Sequence, residues 1–572
     1  MRLPKTCISI LLAAIAASAP SQTGALLRVK GGLVVSDSAL ASNVGAEILK
    51  KGGNAVDAAV ATGFALAVTF PSAGNLGGGG FLLLRLKSGE SVFVDYRERA
   101  PKAATRDMYL DKSGKPVPGM STIGYKAVGV PGTVAGMWEA HKRFGRLPWK
   151  DLVEPARRLA DEGFPVEYGL SRGLRAASDR LRRFPESWRI FCREGKFYEW
   201  GETFRQPELA ATLARIQSDG AKGFYEGETA RLIAEDMKAN GGLITPDDLR
   251  DYRVAAREPA KGSFRGYEVL SAPPPSSGGV ALITMLNILE GYDLRSLGPG
   301  SSGAMHLMVE AMKRAFADRA AHLGDPDFGE IPVKELIDKD YAAGIRRQID
   351  PTKATPSKSI RTGLNARGPA ILPPFEREHT THFSVVDADG NAVSNTYTIN
   401  DSYGCGATVK GAGFLLNNEM DDFAIAPGVP NTYGLIQGEA NSIAPGKRPL
   451  SSMTPTIVHK DGQVFLVLGS PGGPTIINTV LQTILNVLDF GMSVQAAVSA
   501  PRVHHQWLPD EIRWETLGLN SDARLALQKM GHVFARFGTS LGSCHAIFVD
   551  PATSHRIAGV DPRISTSGAA GH

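Results

Sequence analysis

The chain has 572 residues, 43% of them hydrophobic and 21% charged, enough apolar material for a large core or for two to four domains. Its formal charge is only +5 and it carries no long basic run, so nucleic acid is not an expected partner. Mean hydropathy is −0.10, and beyond the N-terminus no apolar stretch is long enough to span a bilayer.

The N-terminus reads as an export signal over residues 1–25. Arg2 and Lys5 are followed by a short apolar run from Cys7 to Ala17 and by small residues through Ala19. Pro20 makes cleavage after Ala19 unfavourable, and a site near Ala25 is the alternative. The expected location is therefore periplasmic or secreted. Cys7 leaves with the signal, and Cys192, Cys405 and Cys544 allow at most one disulfide in that oxidising setting. They lack the spacing of a zinc site.

Ser36 and Asp37 offer N-caps for a helix carrying Leu40, Val44, Ile48 and Leu49, stopped by Gly52-Gly53. Asn54 caps a second helix with Val56, Ala59, Val60, Gly63, Phe64 and Ala67 on one face. The run Gly74-Asn75-Leu76-Gly77-Gly78-Gly79-Gly80-Phe81 has no Lys-Ser or Lys-Thr after it. It reads as backbone passing close to something, not as a phosphate loop. A strand from Ser91 to Tyr96 delivers Arg97, Glu98 and Arg99, and a guanidinium so placed can grip a carboxylate with two parallel bonds. Residues 130–260 read mostly helical. Pro273-Pro274-Pro275-Ser276-Ser277-Gly278-Gly279 then turns into a helix from Val280 to Leu289.

From about residue 350 to His379 the chain becomes proline-rich and loses periodicity, the pattern of a mobile linker. It runs straight into Thr380. Strand-like residues follow through Val386, a loop of Asp387-Ala388-Asp389-Gly390-Asn391 turns the chain, and Ala392 to Ile399 returns. With the turn centred on Asp389, Thr380 falls opposite Thr398, and opposed side chains share one face. If the bond between His379 and Thr380 were cut, Thr380 would own a free α-amine able to take the proton of its own hydroxyl. The boundary is therefore placed at His379/Thr380, with residues 26–379 as a large subunit and 380–572 as a small one. Further on, Thr456 to Leu468 forms a second hairpin ending in Gly469-Ser470-Pro471-Gly472-Gly473-Pro474, which opens a helix whose N-terminus suits an oxyanion. Adjacent histidines such as His504-His505 point to different sides, so no metal is expected there.

Seven long motifs occur in order: GGNAVDAAVA, GNLGGGGF, PPPSSGG, TTHFSVVD, LLNNEMDDF, KRPLSSM and GSPGGP. On these the chain resembles the γ-glutamyltranspeptidase family from about Gly31 to about Arg563. The resemblance implies an α+β N-terminal-nucleophile hydrolase fold, an αββα sandwich of two stacked antiparallel sheets between helical layers. It implies a precursor that cuts itself into two subunits held as a heterodimer. Thr380 matches the nucleophile and Thr398 the hydroxyl bonded to it. Arg97, Ser451 and Ser452 match the residues on the substrate α-carboxylate, Asn400, Glu419 and Asp422 those on its α-amino end, and Gly472 and Gly473 the oxyanion hole. Departures are few: Pro474 stands where relatives often have Ser, Cys405 lies in a variable turn, and residues 427–447 resemble a lid loop that some members lack.

What the resemblance implies chemically is cleavage of glutathione and other γ-glutamyl compounds through a threonine acyl-enzyme, which then passes to water or to acceptor amino acids or dipeptides. No metal or organic cofactor is needed. Two rivals stand beside it: a cephalosporin or glutaryl acylase of the same fold, whose donor lacks the α-amine, and an exported binding protein that holds γ-glutamyl peptides without cutting them.

Overall fold

The structure is a computed structural model that describes residues 26–361, 378–431, 435–516 and 518–572. The expected export signal and the linker residues 362–377 lie outside the described residues. Two seven-stranded sheets, antiparallel throughout, stack face to face. The first runs in the order Gly568–Gly571, Leu33–Ser36, Glu378–Val386, Ala392–Asp401, Gly79–Arg85, Ser91–Tyr96 and Ala255–Arg257. The second runs Arg28–Val29, Arg556–Gly559, His545–Val549, Gln463–Gly469, Thr456–Lys460, Tyr267–Ser271 and Ala260–Phe264. Alternate side chains of both interdigitate between them, with Leu33, Val35, Phe81, Leu83 and Val386 meeting Ile457, Val467 and Ile547. Helices Ala39–Lys50 and Ala55–Thr69 cover the outer face of the first sheet. Helices Gly278–Leu289, Ser302–His322 and Thr475–Leu488 cover the second. This is the αββα sandwich expected from the sequence. Among the described residues no helix is long and apolar enough to cross a membrane.

Most local readings hold, and the exceptions have physical reasons. The strand Ser91–Tyr96, the cap at Asn54 and the hairpin around Asp461-Gly462 stand where the sequence put them. The first helix is capped by Ser38, not by Ser36 or Asp37. Asp37 is drawn away: it accepts from the Thr381 hydroxyl at 2.7 Å and pairs with His545 Nε2 at 2.5 Å, wholly buried between the sheets. The second helix is buried on every side instead of one. The linker's first stretch is pinned. Ala354 N–H donates to Met530 O at 2.7 Å, and Ser357 gives both its N–H and its hydroxyl to Asp510 at 2.8 and 2.7 Å. Cys192, Cys405 and Cys544 are all buried free thiols.

Both sheets interleave strands from before and after Thr380. In the first, Glu378–Val386 lies between Leu33–Ser36 and Ala392–Asp401, with Gly79–Arg85 beyond. Breaking the bond before Thr380 would leave two chains that cannot part without unpairing both sheets.

Candidate active site

Thr380 stands directly opposite Thr398, the register the hairpin turn dictates, and Thr381 opposite Tyr397. The Thr380 hydroxyl donates to Thr398 Oγ1 at 3.3 Å, and the same oxygen accepts the Asn400 N–H at 2.8 Å. The ladder slips between Glu378 and Thr380, so the bond before Thr380 falls at a bulge. Such bulges re-aim the backbone beside a site, and no sequence signal announced this one. Beneath the hairpin lies the glycine run. A side chain at Gly78 would strike the Thr398 carbonyl, one at Gly79 the Tyr96 carbonyl and the Glu98 carboxylate, and one at Gly80 the Thr396 carbonyl. Asn75 fixes the approach, giving its Nδ2 to Thr398 O at 2.9 Å while its Oδ1 accepts from Gly78 N–H at 3.0 Å. The close passage read from the sequence is therefore with the Thr380 hairpin itself.

Arg97 leaves the end of the strand Ser91–Tyr96 with its N–H bonded to Asp95 and its carbonyl accepting from Tyr252 OH. Its guanidinium is spanned by two carboxylates: Nη1 donates to Glu419 and Nη2 to Asp422, with Glu98 3.7 Å away. Glu419 and Asp422 share a short turn whose approach is held by side-chain amides. Asn417 Nδ2 donates to Gly77 O and Gly129 O at 2.8 Å each, and Asn418 holds Asp401. Asn400 adopts φ 71° and gives its Nδ2 to Asn418 O at 3.1 Å.

Burial shapes the charges here. It works against the Arg97 cation, but Glu419, Asp422 and Glu98 outweigh it and raise the pKa. Burial likewise raises Glu419 and Asp422 against the pull of Arg97, and pushes Glu98 up to about 7. Both oxygens of Glu98 and one of Glu419 lack a hydrogen-bond partner, so a neutral, protonated acid fits this cluster better than three anions.

Thr380 forms part of two walls. On one side a small cavity of about 20 Å³ is lined by Arg97, Thr398, Asn400, Glu419, Asp422, Ser451, Ser452 and Gly473. Every catalytic and substrate-binding residue named from the sequence is there except Gly472. Gly472 lines the other side, a groove of about 750 Å³ that also includes Thr380, Phe70, Arg536 and Phe537. The cavity is also lined by Arg319, Leu435 of the lid-like loop, Leu450, Met453, Pro474 and Ile476, none of which sequence reasoning placed in the site. The lid-like loop is tied to the acid turn, since Gln437 and Asn441 both donate to the Asp422 carbonyl, at 3.0 and 2.6 Å.

Among the described residues the histidines that could hold a metal are already engaged. The His504 nitrogens are taken by Asn478 and Gln506. His306, Glu310 and His532 converge elsewhere, but His306 bonds His532 and Asp350 O, and Glu310 is paired with Lys313 and Arg314. Two cations against the carboxylate oppose a third.

A sequence profile of the γ-glutamyltranspeptidase family matches residues 41–571. The chain belongs to the γ-glutamyltranspeptidase family. It is 50% identical over 526 residues to the glutathione hydrolase proenzyme of Escherichia coli, covering 92% of this chain and 89% of that one. Among solved structures, γ-glutamyltranspeptidase of Helicobacter pylori superposes on 57% of this chain and 93% of its own, at 48% identity and TM-score 0.56. The cephalosporin acylase of Bacillus halodurans covers 98% of this chain and 99% of its own at TM-score 0.83, with 28% identity. The fold is thus the N-terminal-nucleophile hydrolase sandwich that this family shares with such acylases.

Proposed function

We propose that this family member is an exported, self-processing γ-glutamyltransferase and glutathione hydrolase with Thr380 as its nucleophile. In the precursor, Thr380 Oγ attacks the His379 carbonyl carbon. The peptide C–N bond breaks, its nitrogen becomes the Thr380 amine, and water opens the resulting ester to leave a carboxylate on His379. In the mature enzyme the free amine takes the hydroxyl proton as Thr380 Oγ attacks the γ-carbonyl of the donor. Backbone N–H groups at Gly472 and Gly473 stabilise the oxyanion, the leaving amine takes the proton, and water or an amino acid or dipeptide receives the acyl group. Thr398 orients the attacking hydroxyl.

What supports this reading most is the pairing of one guanidinium with two carboxylates at the end of a small cavity whose other wall is Thr380. A glutamyl head is a zwitterion. Its α-carboxylate can exchange for the carboxylates on Arg97, with Ser451 and Ser452 beside it, while its ammonium takes Asn400, Glu419 and Asp422. Clamped at both ends, the γ-carbonyl lies over Thr380. A glutaryl donor has no ammonium for the two acids, which disfavours an acylase, and a non-catalytic binder would stay one chain. The leader over residues 1–25 supports export. The test is the ratio of kcat/KM for a γ-glutamyl anilide to that for a glutaryl anilide. The γ-glutamyl compound is expected to be preferred by at least tenfold, and preference for the glutaryl compound would overturn the assignment.

A further inference from the structure

Arg319 stands in the wall of the small cavity, and its bonding is incomplete. It projects from the buried helix Ser302–His322, with 2% of the residue exposed. Nε donates to Ser277 Oγ at 2.9 Å and Nη2 to Ser452 Oγ at 3.3 Å. Nη1 has no hydrogen-bond partner among the described residues. Among the described residues no carboxylate pairs with Arg319 either, and burial pushes its pKa down to about 10 with only the more distant charge of Asp422 opposing. Arg97 is the reverse case: three carboxylates surround it. The cavity therefore has one cation whose field is cancelled by its neighbours and one whose field is not.

We propose that Arg319 is a second specificity-determining cation for the donor's α-carboxylate, acting through its unpartnered Nη1 and through Ser452, whose hydroxyl it holds. This rests on the γ-glutamyl reading above and adds a residue to it. A buried guanidinium keeps its charge at neutral pH and is costly to leave unpaired. A carboxylate seated at Ser451 and Ser452 supplies the missing counter-charge and the missing acceptor together. The incoming anion then need not strip Arg97 of both its acids, so Glu419 and Asp422 stay in place for the ammonium. The alternative is a purely structural tie, in which Arg319 only links the turn at Ser277 to the segment at Ser452.

Two donors separate these roles: a γ-glutamyl anilide, and a 4-aminobutanoyl anilide that lacks the α-carboxylate. Arg319→Gln should raise KM for the γ-glutamyl donor about 10- to 100-fold with a smaller change in kcat. It should leave kcat/KM for the 4-aminobutanoyl donor within about twofold, and Arg319→Lys should recover part of the KM. Equal losses on both donors, or an unchanged KM for the γ-glutamyl donor, would overturn the proposal. If Arg319→Gln does not mature, Arg319→Lys carries the test. A several-fold rise in KM confined to the carboxylate-bearing donor supports the role, and any other pattern contradicts it. Preference of the wild type for the γ-glutamyl over the glutaryl anilide is measured first, so failure of the functional reading is distinguished from failure of the Arg319 role.

Discussion

On one side of Thr380 a small cavity of about 20 Å³ is walled by Arg97, Arg319, Glu419 and Asp422. On the other a groove of about 750 Å³ opens past Phe70 and Phe537, the latter 72% exposed. The small side fixes charge at set positions in a buried setting, where a mispaired ion is costly. The groove offers surface and room. Under the proposed function, strict reading of the glutamyl head belongs to the first and loose reading of the amine that leaves or enters to the second. Thr380 lies at the seam and lines both.

The contrast breaks most sharply at Asp422. Asp422→Ala removes one carboxylate from Arg97 and, under the proposed function, a contact from the donor ammonium, a loss of about 3 kcal/mol for a buried charged pair. KM for a γ-glutamyl anilide should rise about 100-fold, the preference over a glutaryl anilide should collapse, and the response to an acceptor dipeptide should stay as in the wild type. A retained preference would show that the small side does not read the ammonium. Thr398→Val acts at the seam and should slow both maturation and turnover about 10- to 100-fold, on the order of 1–3 kcal/mol for one unmade hydrogen bond. That loss should be the same whatever amine leaves. Unchanged rates would remove Thr398 from the mechanism.

How much of this was legible depends on the range of the interactions. The Thr380–Thr398 pairing was readable because a five-residue turn sets the register of a period-2 pattern locally. Asp37 was misread as a cap because its real partners, Thr381 and His545, lie hundreds of positions away. Arg97, Asn400, Glu419, Asp422, Ser451 and Ser452 come together from four distant segments. Only the family resemblance, not spacing, collected them. Arg319 gave no signal at all: its helix is buried on nearly every side, so no amphipathic stripe marks the residue, and its partners are Ser277 and Ser452. The bulge before Thr380 likewise depends on the neighbouring strand.

The smallest expected effect concerns Glu98, beside Arg97. Burial pushes its carboxyl up to about 7, so between the ordinary glutamate value and pH 7 the folded chain binds a proton that the unfolded chain has lost. Stability from this group is therefore greatest below that window and falls as pH rises through 7. Glu98→Gln removes the dependence. Its Tm should match the wild type at pH 5.5 and exceed it at pH 8.5 by on the order of 1–2 °C. A lower Tm at pH 8.5 would mean that Arg97 needs the third anion.

The account stands or falls on Thr380 as the residue that both cuts the precursor and carries the acyl group. The direct measurement is denaturing electrophoresis with N-terminal sequencing of the smaller fragment, for wild type and Thr380→Ala. Wild type should give two fragments that co-purify under native conditions, the smaller beginning Thr380-Thr381-His382, and Thr380→Ala should remain one chain without turnover. A Thr380→Ala protein that still splits before residue 380, or a wild-type fragment beginning elsewhere, would contradict it.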